Sequence, residues 1–214
     1  MKTYYIASVA ALIMAATPAL RANEQDIVNQ DATIIQRFRS LPESQIPRRV
    51  LHEARGVAIL TVVKGGFIWS GKVGDGVVVA HTRHGWSGPS FIRTAGAGFG
   101  AQIGGEVSEV VLILNTPEAV RAFSEGTNVQ LGGALSVAAG PVGREAEADV
   151  MPKAAVYAYS RSQGLFAGVS LEGTVINTNA SGNARYYHGE VTPAQILSGR
   201  VSPPRSASNL LARL

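Results

Sequence analysis

The sequence has no cysteine, and several common catalytic and nucleotide-binding motifs are missing as well. Without cysteine no disulfide can form, and no lipid anchor can be attached through a thiol. The segments G-x-x-x-x-G-K-[ST] and G-x-S-x-G do not occur, which argues against a P-loop and against a serine nucleophile elbow. Stability must therefore come from a hydrophobic core, and a chain of 214 residues is long enough to form one.

Long hydrophobic runs and a strong net charge are also missing. A formal charge of +4 is too small to favour nucleic acid as a partner. The apolar run at 6–16 is too short to span a bilayer as a helix. With Lys2 before it and small residues after it, the run is typical of a secretory signal peptide cleaved after Ala19 or Ala22. We therefore expect a bacterial periplasmic or secreted protein.

Glycine, in contrast, is abundant, with 24 residues, and residues 94–107 organise the fold. Every second residue from Thr94 to Glu106 is polar or glycine, whereas the intervening set is apolar or small. In a strand, this alternation gives one modestly apolar face and one face almost without side chains. Residues 128–140 repeat the pattern, and residues 165–172 repeat it more weakly. We expect another group to approach the glycine face closely.

Short turns between apolar segments predict the sheet topology. Turn residues occur at 64–66, at Asp75-Gly76 and at 83–85, and each connection is too short for a crossover helix. The predicted class is α+β, with a single curved, largely antiparallel sheet that closes toward a barrel. Helices from the N-terminal, interior and C-terminal parts of the chain would pack on it.

The predicted helices follow from periodicity and capping residues. The segment 23–39 has an apolar stripe formed by Ile27, Ile34, Ile35 and Phe38. This helix either packs on the domain or lies on a membrane surface. Further helices are predicted from 47 to 56, after Thr116-Pro117 up to Gly126, and after the capping box of Thr192 and Gln195 up to Gly199.

The predicted organisation has four parts and includes one loop near its end. Residues 1–22 form the leader, 23–45 the amphipathic helix with a linker, and 46–200 the domain. Residues 177–183, rich in Asn, Ser and Gly, are expected to form a loop. Residues 201–214 are expected to be a mobile tail, with docking through Leu210, Leu211 and Leu214 as the alternative.

The remaining candidates for catalytic chemistry are weak. Gly96-x-Gly98-x-x-Ala101 matches the dinucleotide fingerprint in letters, but a strand pattern follows it where a helix is required. His81 and His84 flank a turn without a third metal ligand nearby. Glu172 has no second group for acid–base chemistry. We therefore expect no enzyme, no cofactor and no metal site.

Eight segments together resemble the SYLF domain family, and the resemblance extends from about residue 46 to 199. The segments are 54–59, 63–67, 74–77, 85–91, 100–104, 114–116, 136–144 and 159–173. The resemblance implies a non-catalytic module that binds phosphoinositide or other anionic lipid. Eukaryotic members also bind and bundle actin, but the predicted leader would place this chain where actin is absent, so actin is not expected as a partner.

Basic residues provide the predicted lipid site. Five arginines occur close together beside the apolar helix stripe, and one lysine lies in a glycine turn of a family-like segment. The predicted site residues are Arg37, Arg39, Arg48, Arg49, Arg55 and Lys64. Several basic side chains acting together can hold a protein at an anionic surface. The alternative is a structural or protein-interaction module of the envelope without a lipid ligand.

Overall fold

Two long strands form the frame of the molecule. β1 (Gly56–Thr82) and β3 (Ser90–Leu114) pair antiparallel from Gly56↔Leu114 to Val78↔Ser90. The short strand β2 (Gly85–Trp86) follows the turn between them. The computed structural model describes residues 23–40, 46–126, 128–133, 135–141, 154–164 and 174–214, with the side chains at 66–70, 97–104 and 163–164 excepted.

The β1–β3 ribbon bends so that the second half of β1 returns beside its first half. The main-chain N–H of His81 donates to the carbonyl of Arg55 at 2.8 Å. A Cβ added to Gly76 would lie 1.9 Å from the Ile59 carbonyl oxygen, so only glycine fits there. The predicted turns at 64–66 and Asp75-Gly76 are wrong, because β1 is continuous through both. The predicted turn at 83–85 is confirmed, with Gly85 at φ 103°.

Within the described residues, the other strands complete a curled sheet of seven strands. β6 (Val156–Gly164) pairs with the end of β3, and β7 (Val175–Thr178) pairs with its beginning. β4 (Val129–Gln130) pairs with β7, and β5 (Val137–Ala139) is parallel to β6. The predicted α+β class with one curved, largely antiparallel sheet is confirmed. Gly132 and Gly133 form a turn that interrupts the strand predicted at 128–140.

The first hydrophobic core lies between α1 (Glu24–Ser40) and one face of the sheet. The helix stripe is buried in it, and Ile34, Ile35 and Phe38 are each at most 1% exposed. The sheet contributes Val57, Ile59, Val77, Val79, Val111 and Ile113. Of the two readings of α1, packing on the domain is therefore confirmed. The stripe has no free surface to place on a membrane.

The second core lies on the opposite face, under α3 (Pro117–Glu125) and α5 (Pro193–Leu197). Both helices begin as predicted, because the side chains of Thr116 and Thr192 accept hydrogen bonds from main-chain N–H groups. α3 ends at Gly126, whose φ of 79° is left-handed. The sheet residues of this core are Ala58, Leu60, Val78, Ile92, Val110 and Leu112.

The remaining helices differ from the prediction in two places. α2 (Arg48–Glu53) ends at Ala54, before the Gly56 stop that was predicted. The segment 177–183, predicted as a loop, contains the end of β7 and the start of α4 (Ala180–Tyr187). The sequence pattern was misleading there because Asn179 caps the helix, accepting a hydrogen bond from the Gly182 N–H.

The C-terminal segment docks on α1, as the leucine alternative predicted. It contains a 3₁₀ turn (Arg205–Ala207) and α6 (Ser208–Leu211). Leu210 is fully buried in the first core, and the Ser206 carbonyl accepts a hydrogen bond from Gln25 at 3.1 Å.

Candidate functional site

A basic cleft lies where the C-terminal end of α1 meets α2 and the C-terminal segment. The N–H of Ile46 donates to the Phe38 carbonyl at 2.8 Å, which brings the chain back and sets α2 beside the end of α1. Two adjoining depressions of about 390 and about 530 Å³ share Arg39 and Arg48 as lining residues. We call them together the arginine cleft, defined by Arg39, Arg48, Arg49, His52 and Arg213.

The contacts of these arginines hold some of them in place and leave others available. Arg39 donates to the main-chain carbonyl of Arg213 at 2.6 Å, so its charge is not neutralised by that contact. Arg213 itself bonds the side chains of Asn209 and Gln36, which are both neutral. Arg49 forms an exposed ion pair with Glu53 at 2.8 Å. Within the described part of the chain, Arg48 makes no hydrogen bond or ion pair.

The charge of the cleft is therefore strongly unbalanced. Four guanidinium groups line it, and no side chain among the described lining residues is acidic. Guanidinium groups present several N–H donors in a planar fork, which suits phosphate and carboxylate oxygens. Leu51 and Leu214 add apolar surface to the larger depression. The cleft can accept an anionic group that carries an apolar part.

The structure brings together three of the six predicted residues, Arg39, Arg48 and Arg49. Arg37 points elsewhere, because it forms an ion pair with Glu109 on β3. Arg55 is exposed just before β1, and its main-chain N–H donates to the Leu114 carbonyl at 2.8 Å. Lys64 lies on β1 in register with Glu106, far from any turn.

Sequence reasoning missed Arg213 and His52 as members of the site. The segment 201–214 was expected to be mobile, so its arginine was not considered. The pattern that could have identified it is the position of Arg213 within one helical turn of Leu210. A leucine that docks also fixes the turn that follows its helix, and the Arg213 N–H donates to the Leu210 carbonyl at 3.0 Å.

The glycine face is occupied by a lysine of the same sheet. The stem of Lys72 would lie 2.9 Å from a Cβ at Gly96, and the Lys72 ammonium donates to the Thr174 hydroxyl at 3.0 Å. Burial and, secondarily, the nearby charge of Lys64 lower the pKa of Lys72. Thr94, on the same face, donates to the Val175 carbonyl at 2.8 Å. The positions 98 and 100 lie outside the described side chains.

The other residues considered for catalysis or metal binding do not form a catalytic or metal site within the described residues. The ring of His81 packs edge-on against Trp86, with centroids 5.1 Å apart. No group of three metal-ligating side chains converges within the described ranges. Glu172 lies outside them. Among the helices that the structure describes, none combines the length and the apolar character needed to cross a bilayer.

Comparisons with known proteins identify the family. A family model described as "Ysc84: Las17-binding protein actin regulator" matches residues 95–214. "Protein YSC84" of Saccharomyces cerevisiae is 50% identical over 171 residues, which cover 78% of this chain and 36% of that protein. "LAS seventeen-binding protein 3" of the same species is 49% identical over 170 residues, covering 77% of this chain and 37% of that protein.

A similar human protein is "SH3 domain-containing YSC84-like protein 1", which is 42% identical over 197 residues. These residues cover 88% of this chain and 58% of the human protein. The chain thus matches a little over a third to somewhat more than half of the length of these relatives. The family description refers to Las17 binding and actin regulation, and the name of the second yeast protein refers to binding. The resemblance seen in the sequence is confirmed, and the chain belongs to the Ysc84 family of SYLF-type domains.

Proposed function

We propose that this protein binds anionic lipid headgroups through the arginine cleft. The observation that carries the proposal is the group of four guanidinium groups that line it, with Arg48 unpaired in the described chain and Arg213 bonded to the neutral side chains of Asn209 and Gln36. Each basic side chain near an anionic surface contributes about 1 kcal/mol of binding free energy. Three or four such residues together would contribute about 3 to 4 kcal/mol, to which the apolar surface of the cleft would add.

The proposal keeps the predicted function and narrows its site. Arg39, Arg48 and Arg49 remain site residues, and Arg213 and His52 are added. Arg37 is removed because Glu109 already neutralises it. The location of the protein is also still a prediction. N-terminal sequencing of the mature protein from the periplasm or medium would test the leader at 1–22 and the cleavage after Ala19 or Ala22.

Vesicle sedimentation tests the proposal directly. We expect the parent protein to bind vesicles containing phosphatidylserine or phosphoinositide and to bind neutral phosphatidylcholine vesicles far more weakly. The variant Arg39→Gln/Arg48→Gln/Arg49→Gln should lose most of this binding. The matched control is Arg83→Gln/Arg121→Gln/Arg200→Gln, which removes three exposed arginines outside the cleft. Equal loss in both variants would show general charge attraction and would contradict a specific cleft.

A role in actin regulation is the second candidate. The family description and the name of a yeast relative support it, since they refer to Las17 binding and actin regulation. The expectation that actin is not a partner depended mainly on the predicted leader, which remains a prediction. Co-sedimentation with filamentous actin, done with the parent and with the cleft variant, would test this role separately from lipid binding.

A further inference from the structure

An exposed apolar surface lies on the sheet beyond the edge of α1. Val73 is 60% exposed, Val63 is 48% exposed and Val107 is 44% exposed. Val63 and Val107 are register partners on β1 and β3. A Cβ at Gly74 would lie 3.0 Å from the Val62 side chain, so the halves of β1 are adjacent here and Val73 is the neighbour of Val63. The three valines form one row across three strand segments.

This row continues toward the bent tip of the ribbon. A Cβ at Gly71 would meet no atom within 4 Å, and one at Gly105 would meet only a carbonyl oxygen at 4.0 Å, so this face is open. Farther along, Phe67 pairs in register with Ile103, and Trp69 pairs with Phe99. The register shifts between Phe67 and Trp69, so only the main-chain pairing is described at these positions. The tip, at 66–70 and 97–104, is rich in apolar residues and glycine in sequence.

The charges around the tip fit an anionic bilayer. The segments 63–73 and 95–105 contain two lysines and no acidic residue. Both lysines belong to the strand face opposite the valines, where Lys72 donates to Thr174 at 3.0 Å, so they would flank the inserted face at headgroup level. Glu106, which borders these segments, is buried, with 3% exposure. A polar row separates the valines from α1, and it carries Arg93 in an ion pair with Asp75, together with Arg161 near Glu109. Aromatic residues next to basic ones are typical of segments at the membrane–water interface.

We propose that the bent tip of the β1–β3 ribbon inserts into the interfacial region of an anionic bilayer through the face that carries Val63, Val73 and Val107. Four residues of extended strand, from Val63 to Phe67, span about 13 Å, which is enough to pass the headgroup layer. The arginines of the polar row would then lie at headgroup level. This inference rests on the membrane association proposed above, and it assigns a second surface, separate from the arginine cleft.

Tryptophan fluorescence offers a direct test, because the chain has two tryptophans, and Trp69 is at the tip whereas Trp86 is on β2. In Trp86→Phe, the emission maximum of the remaining Trp69 should shift to shorter wavelength when vesicles containing phosphatidylserine are added. Brominated lipid in these vesicles should quench its fluorescence. In the matched control Trp69→Phe, the remaining Trp86 should not be quenched. Quenching of neither tryptophan, with the vesicles bound, would overturn the insertion.

A second variant separates insertion from headgroup binding. Val63→Glu/Val73→Glu places two charges on exposed positions, so we expect the fold to tolerate it, and vesicle affinity should fall about tenfold or more. Binding of soluble inositol trisphosphate should be unchanged in this variant and should be lost in the cleft variant. Undiminished vesicle binding by Val63→Glu/Val73→Glu would overturn the insertion of the tip. Inositol trisphosphate binding that is retained in the cleft variant would overturn the role of the cleft.

The same face could instead join two copies of the chain. Sedimentation equilibrium would then show a dimer of the parent that dissociates in Val63→Glu/Val73→Glu. A dimer of this kind, together with unquenched Trp69, would replace the membrane as the partner of the tip.

Discussion

The carboxylate of Asp31 on α1 is buried against β1, where the main-chain N–H of Val77 donates to it. The second oxygen, Oδ2, has no hydrogen-bond partner in the described structure. Val77 follows Gly76, where the two halves of β1 approach most closely, so the carboxylate satisfies a main-chain group at an irregular point of the sheet. Burial raises the pKa of Asp31 well above its usual range; the Val77 bond opposes this shift, and the charge of Asp75 adds to it.

We expect Asp31→Asn to be more stable than the parent at neutral pH. An acid whose pKa is higher in the folded state binds its proton more tightly there than in the unfolded state. The free energy of unfolding therefore decreases as the pH rises above the unfolded pKa of about 4 and continues to decrease up to the folded pKa. Asparagine carries no charge and keeps an oxygen for Val77. Urea unfolding should show a gain at pH 7.5 that disappears near pH 4.

The same unfolding measurements could contradict this prediction in two ways. A variant that is less stable than the parent at every pH would show that the carboxylate is matched to its site by a contact beyond Val77. A gain that does not depend on pH would show that Asp31 does not titrate differently in the folded state.

Two glycines of β1 should respond in opposite ways to the same substitution. Gly76→Ala places a methyl group 1.9 Å from the Ile59 carbonyl oxygen, where main chain faces main chain, so we expect a loss of about 3 kcal/mol or more. Gly71→Ala meets no atom within 4 Å and should change stability by less than about 1 kcal/mol. Thermal or urea unfolding would measure both, and equal effects would contradict the close approach.

Substitutions of Arg37 and Arg48 should affect different properties, the first the stability of the fold and the second the affinity for vesicles. Arg37→Gln leaves Glu109 with only Arg161, at 3.7 Å, so we expect a loss of about 1 kcal/mol in stability and unchanged vesicle affinity. Arg48→Gln removes an exposed side chain without a described partner, so stability should stay within about 0.5 kcal/mol. Its vesicle affinity should fall, and more so at low salt. The opposite assignment of effects would return Arg37 to the lipid site.

The sequence predicted the fold class and the helix caps because these depend on local patterns. Thr116, Thr192 and Gly126 act within one turn of the chain, so their roles are visible in the letters alone. The path of β1 depended on a long-range contact instead. Asp75-Gly76 has the composition of a tight turn, but its glycine is required because Ile59 returns close to it, and no local pattern contains that information.

Only part of the arginine cleft could be predicted from the sequence, for the same reason. Arg39, Arg48 and Arg49 lie near one another in sequence, and the end of α1 and the start of α2 keep them together. Arg37 belongs to the same helix but faces β3, and the identity of its partner, Glu109, follows only from the packing of α1 on the sheet. Arg213 enters from the far end of the chain.

The docked C-terminal segment forms one wall of the arginine cleft, which leads to a last prediction. Leu210 anchors the segment in the first core with no exposed surface, and Arg213 lies in the turn just after that short helix, where its N–H donates to the Leu210 carbonyl at 3.0 Å. In Leu210→Ala, a core truncation that typically costs about 2 to 5 kcal/mol, we expect the segment to detach before the rest of the domain unfolds. Limited proteolysis should then cut within 205–214, and binding to phosphatidylserine vesicles should weaken because Arg213 leaves the cleft.

The matched control is Leu197→Ala, which truncates a buried leucine of α5 in the second core. It should lower the unfolding midpoint without exposing the C-terminal segment to protease and without weakening vesicle binding by the folded protein. If Leu210→Ala is cut by protease but binds vesicles like the parent, Arg213 contributes nothing to the lipid site and the cleft is formed by α1 and α2 alone. Equal weakening in both variants would trace the loss to general destabilisation, because the two truncations share only their effect on the core.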